Sequence, residues 1–153
     1  MRILLTIAVI LALATPTDSA AQRTSGSLGV GGQFGSPSGF SLNMYQASGM
    51  SVDLLAAWDL DNFLFINGHG IFERPISQNR NVRLQYGPGV YVGVRDRKAG
   101  DDETVVGLSA SLGLAYIATT APFEIYIRVT PRINIVPDTD GAIGGGLGLR
   151  YYF

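Results

Sequence analysis

The chain has 153 residues, 46% of them hydrophobic, with 11 basic against 12 acidic side chains, a net charge of −1 and no cysteine. Balanced, scattered charge gives no basic surface for nucleic acid and no acidic tail, and without cysteine there is no disulfide framework, so stability has to come from packing, a metal or lipid. The 20 glycines all lie beyond residue 25 and argue against helices, in which each glycine is destabilising.

The chain opens with Met1-Arg2 and a nearly unbroken apolar run over residues 3–14. It then passes through Thr15-Pro16-Thr17-Asp18 to the small residues Ser19-Ala20-Ala21. A positive start, a short apolar stretch and small residues before the cut are the parts of a secretory signal peptide, with cleavage expected before Gln22. A membrane-spanning helix fits less well, because a span needs about 20 apolar residues. Residues 1–21 are therefore read as a signal peptide and 22–153 as one domain.

Beyond Gln22 no segment keeps apolar residues at helical spacing without glycine or proline, whereas period-two alternation recurs. Eight strands are expected, over residues 27–34, 40–47, 51–59, 63–73, 82–95, 105–118, 123–136 and 142–153. The breaks carry turn chemistry, from Gly35-Ser36-Pro37-Ser38-Gly39 to Pro137-Asp138-Thr139-Asp140. Connections this short require antiparallel neighbours, so the expected fold is all-β, an eight-stranded antiparallel up-and-down transmembrane β-barrel.

The alternation also defines two faces. Even positions are apolar in the first six strands, as in Leu28, Val30, Leu42, Leu54, Ile66, Val92 and Leu112. Odd positions are apolar in the last two, as in Ile125, Ile127, Leu147 and Leu149. The other face carries Gln33, Asn43, Asp53, Asn67, His69, Glu73, Gln85, Ser109, Ser111, Glu124, Arg128, Arg132, Asn134 and Arg150. That set is too charged for a dry core but suits the narrow lumen of a small barrel. The aromatics of the apolar face sort into two rings, Phe34, Phe40 and Trp58 at one end and Phe72, Tyr86, Tyr116, Phe123, Tyr151 and Phe153 at the other, as membrane-interface girdles do. Pro88 and Pro131 fall mid-strand, where each removes a ladder hydrogen bond and bulges or local register irregularity are expected.

The last strand, Leu147-Gly148-Leu149-Arg150-Tyr151-Tyr152-Phe153, resembles the terminal strand of bacterial outer-membrane proteins. In that family the terminal aromatic and the alternating apolar residues before it are read by the barrel-assembly machinery; here Leu147, Leu149, Tyr151 and Phe153 match. Residues 26–153 as a whole look like the small eight-stranded barrels of the OmpA, OmpX and OmpW kind. They resemble more closely a group of bacterial outer-membrane barrels without an established activity, through Gly39-Phe40-Ser41-Leu42, Val52-Asp53-Leu54 through Trp58, Tyr86-Gly87-Pro88-Gly89-Val90 and the two final strands. The resemblance implies location and fold; barrels of this class include anchors, adhesins, small pores and a few lipid A enzymes.

The polar face supplies the candidate sites. Pairing of the third and fourth strands around Leu60-Asp61-Asn62 sets Asp53 opposite His69, with Ser109 or Ser111 on another inward face. These are the components of a hydrolytic triad, although the plainer account is a luminal hydrogen-bonded pair. His69 is the single histidine, there is no nucleophile-elbow motif, and Gly70-Ile71 follow it where a lipid A deacylase has His-x-Ser. A last hairpin turning at residues 137–140 sets Arg128 opposite Arg150, with Arg132 further along, and opposed like charges need counter-charges. Glu73, Glu124 and Asp53 are available. The arginines then form an anion-selective constriction or, as preferred, part of an ion-pair plug, since eight strands leave no open channel. Asp53, His69, Glu73, Glu124, Arg128, Arg132 and Arg150 are thus expected as a luminal polar network. The charged stretch from Arg95 to Glu103 is expected to be a solvated hairpin, and Gly144-Gly145-Gly146 opens no helix and so is no phosphate loop.

No metal-ligand cluster or cofactor motif is visible. The expectation is a non-enzymatic, monomeric barrel in the outer membrane of a Gram-negative cell, reached through the Sec pathway, with a structural or surface-interaction role. Its expected partners are outer-membrane lipid, lipopolysaccharide and, during biogenesis, the assembly machinery. The alternatives are a small lipid or ester hydrolase using His69, a minor porin-like anion-selective pore, and a soluble periplasmic lipocalin-like barrel with the two faces exchanged.

Overall fold

The computed structural model describes residues 23–59, 63–76, 81–95 and 103–153, the side chains of Trp58, Asp59, Phe63 and Arg95 excepted. The signal peptide, most of the charged 95–103 stretch and the side chain of Trp58 in the first aromatic ring lie outside the described residues.

Period-two sequence becomes eight strands: β1 (Leu28–Ser36), β2 (Ser38–Met44), β3 (Ser51–Asp59), β4 (Phe63–Pro75), β5 (Val82–Arg95), β6 (Glu103–Ile117), β7 (Phe123–Val136) and β8 (Gly141–Tyr152). Each pairs antiparallel with its neighbours in sequence, and β8 returns to β1 from Gly29↔Tyr152 to Ser36↔Gly145, closing the barrel. Closure leaves no unpaired edge to attract another strand. Strand length is uneven around the wall, with 7 to 9 residues in β1, β2 and β3 against 13 to 15 in β4 to β7.

The faces are those of an inverted protein. Leu64 is 62% and Ile127 57% exposed, whereas Glu124 and Arg150 are 0% and 1% exposed. The apolar belt therefore points outward on every strand, and the soluble lipocalin-like arrangement, which needs it inside, is not the one adopted. Phe34 and Phe40 stand exposed beside the β1–β2 hairpin. Phe72 packs on Tyr86 at 6.0 Å, and Tyr151 on Phe123 and Phe153 at 5.0 and 4.8 Å, toward the end where the termini lie. Leu147, Leu149 and Phe153 are exposed on the same outer surface, as is Tyr116.

Two sequence expectations need correction. The expected bulges at Pro88 and Pro131 are absent. Each proline interrupts a ladder, between His69↔Gly89 and Phe72↔Tyr86 on one side and between Ser109↔Arg132 and Leu112↔Val129 on the other, but the register on both sides of the gap is the same. A missing N–H removes a bond without adding a residue, and only an added residue shifts register. The shift in the β6–β7 pair occurs instead between Val106 and Gly107.

The last hairpin also turns earlier in the chain than expected, with a wider loop. Its pairing runs from Ile133↔Gly141 to Phe123↔Tyr151, which puts Arg150 opposite Glu124 and Arg128 opposite Gly146. Arg128 and Arg150 therefore do not face each other, and the like-charge conflict does not arise. The inward face also carries apolar side chains: Leu55, Ala57, Phe65, Tyr91 and Val105 form a buried cluster in the half of the lumen away from the termini.

Candidate functional site

The other half of the lumen is filled by charge. Asp53 on β3, Glu73 on β4, Arg83 on β5, Glu124 and Arg128 on β7 and Arg150 on β8 all occupy inward positions of the alternation. Arg23, which precedes β1, folds its side chain into the barrel mouth and is 3% exposed. These groups form one chain of ion pairs. Arg83 meets Glu73 at 3.6 Å, Glu73 meets Arg23 at 2.5 Å, and Arg23 also pairs with Glu124. Glu124 meets Arg150 at 2.9 Å, Arg150 pairs with Asp53, and Asp53 takes Arg128 at 3.2 Å.

Charges removed from water need opposite charges and hydrogen bonds around them, and both are supplied. The Nε of Arg150 donates to Ser41 at 2.8 Å, Gln85 donates to Glu73 at 2.8 Å and to Glu124 at 3.3 Å, and the Tyr152 hydroxyl donates to Glu124 at 3.1 Å. The guanidinium groups of Arg150 and Arg128 lie 4.1 and 4.2 Å from the Tyr126 ring centroid, and that of Arg23 4.1 Å from the Tyr45 ring. These contacts have cation–π geometry. Burial works against the charge on Arg23, but Glu124 and Glu73 outweigh it and hold the pKa of this guanidinium above its ordinary value.

Glycine makes the room. A Cβ on Gly29 would stand 2.6 Å from Cε1 of Tyr152, and one on Gly148 would strike the Tyr126 ring. Glycines at these inward positions thus allow the large side chains of neighbouring strands to cross the narrow bore.

The suggested triad is brought together only in part. Asp53 and His69 are opposite in register, but the carboxylate of Asp53 is taken by Arg128, Arg150 and Asn43. His69 instead meets Ser109 through Nε2 at 3.2 Å, and Ser109 donates to Asn67 at 2.9 Å. The buried Nδ1 of His69 has no hydrogen-bond partner within the protein. A triad needs its acid on that nitrogen, and here the acid belongs to the arginines. Arg132 stacks over Phe65 at 5.0 Å, apart from the ion chain. Among the described residues no group of three or more His, Asp or Glu side chains is placed to hold a metal.

Sequence reasoning overlooked Arg23, Arg83, Tyr126 and Tyr152 as members of the network. Parity marks the last three as inward, since Arg83 shares a face with Gln85, and Tyr126 and Tyr152 with Glu124 and Arg150. Arg23 lies in no strand, and no periodicity could have found it.

Neither a family model nor a curated protein sequence matches the chain. Among solved structures it is similar to the N-terminal β-barrel domain of Pseudomonas aeruginosa OprF. The TM-score is 0.61 at 15% identity, over 83% of this chain and 96% of that domain. The likeness is one of fold: the chain is a closed, eight-stranded, antiparallel β-barrel of the kind that the OprF domain forms.

Proposed function

We propose that the chain is a non-catalytic outer-membrane barrel whose role is structural or surface-interacting. The observation that carries this is the unbroken outward apolar belt on a closed barrel whose lumen is filled by paired charge. Such a surface has no favourable place in water, whereas in lipid a closed barrel satisfies every backbone group internally. The fold it shares with the OprF domain supports the same location. On this reading a signal peptide over residues 1–21 directs Sec export from a Gram-negative cytoplasm, the assembly machinery engages Leu147, Leu149, Tyr151 and Phe153, and the mature monomer contacts lipid and lipopolysaccharide. The plugged bore favours this over the anion-selective pore, and the commitment of Asp53 to arginine favours it over a hydrolase centred on His69.

The test is to express the chain with its leader, separate outer membranes, and run the protein on a detergent gel with and without boiling. The expected result is a band in that fraction that migrates differently once boiled. A periplasmic band with no such difference overturns the proposal.

A further inference from the structure

The ion chain begins and ends on arginine. Arg83, Glu73, Arg23, Glu124, Arg150, Asp53 and Arg128 alternate in sign, so among the described residues four guanidinium groups share three carboxylates. One positive charge has no carboxylate of its own, and a partly buried charge of that kind attracts a counter-ion. The two ends differ in access. Arg128 is enclosed mid-lumen against the Tyr126 ring. The Arg83 side chain is 28% exposed and lines a pocket of about 230 Å³ at the mouth where the termini lie, together with Arg23, Asn81 and Thr119.

Among the described residues no carboxylate lines this pocket. Arg83 reaches Glu73 through Nη1 only, at 3.6 Å, beyond direct hydrogen-bond length, and its buried Nε has no acceptor. Arg23, whose side chain is 3% exposed, commits its Nη groups to Glu73 and Glu124, so it adds positive charge beside the pocket rather than a free edge. The Nε atoms of both arginines are sealed from solvent, so the pocket meets the exposed part of the Arg83 guanidinium, which stands within hydrogen-bond length of no carboxylate among the described residues and can donate to an oxyanion. The pocket is smaller than the roughly 300 to 1,000 Å³ typical of drug-sized ligands, which limits the ligand to a small group.

We propose that this pocket is an oxyanion site that binds a phosphate group at Arg83, beside the positive charge of Arg23. Free phosphate and a lipid headgroup present the same chemistry to it.

The test uses the whole barrel in a non-ionic, phosphate-free detergent, titrated calorimetrically with inorganic phosphate. Saturable binding is expected. Arg83→Gln should weaken it about ten-fold or more, as loss of a charge-assisted contact does. Arg83→Lys, which keeps the charge but not the fork, should fall between that variant and the wild type. Arg74→Gln removes an exposed arginine bonded to Tyr86 and should leave binding unchanged. Gel migration before and after boiling verifies that each variant is folded. Phosphatidylglycerol added to the micelles separates the sources: competition with phosphate assigns the site to a lipid headgroup, and undiminished phosphate binding assigns it to free phosphate. The proposal falls if neither probe binds saturably, or if folded Arg83→Gln or Arg83→Lys binds phosphate as tightly as Arg74→Gln.

Discussion

Glu124 is the residue on which the network turns, since it accepts from Arg23, Arg150, Gln85 and Tyr152 together. Glu124→Ala leaves Arg150 and Arg23 each with a single carboxylate partner in a bore that water does not fill. Breaking a buried pair from one side costs about 3 to 5 kcal/mol, and the urea midpoint for unfolding from lipid vesicles should fall accordingly. Ser109→Ala deletes neutral hydrogen bonds to Asn67 and His69 and should cost only about 1 kcal/mol in the same assay. If both variants lose the same amount, the charges are not what holds the lumen. Some of this was legible: alternation alone put Asp53, His69, Glu73, Glu124, Arg128 and Arg150 on one face. What each would touch depended on register, which is why Arg150 was paired with the wrong partner until the actual register of the final hairpin set it opposite Glu124. Arg23 was out of reach for a different reason, since its place is fixed by tertiary contacts with residues 50 and 101 positions away.

At the level of the strands, what each face demands is specific and opposite. Leu112, 57% exposed on the outer belt of β6, tolerates no charge in a bilayer: Leu112→Arg should cost about 2 to 4 kcal/mol when the barrel folds into vesicles. Gly29 on β1 faces inward against the Tyr152 ring, and a rigid ring cannot give way as a flexible chain does. Gly29→Val should therefore cost about 1 to 3 kcal/mol by overpacking, seen as a lower thermal midpoint. Strand limits and faces were open to sequence reasoning because period-two alternation records the environment of each side chain directly. The position of the register shift was not. Pro88 and Pro131 drew attention as ladder breakers, yet both point outward and keep register, while the irregularity falls between Val106 and Gly107, opposite the end of β7.

For the molecule as a whole, the two halves of the lumen make different contributions. The apolar cluster around Phe65 and Tyr91 closes the bore at one end, and the ion chain closes it at the other. With both in place the wild-type barrel should carry no steady ionic current in planar bilayers; a sustained ohmic conductance from purified protein would show that the plug is open in lipid. The outer wall has its own consequence. β2, with 7 residues, rises about 23 Å along its own axis, and β6, with 15, about 50 Å. With strands tilted roughly 40°, the wall stands about 18 Å high at β2 and about 38 Å at β6. A hydrocarbon layer near 25 Å, the usual height of the apolar band, is therefore taller than one side of the barrel and shorter than the other. In the proposed membrane setting, lipids beside β1 to β3 must compress or the barrel must lean, and either response gives a round molecule a preferred azimuth, so that it deforms the sheet of lipid around it on one side only.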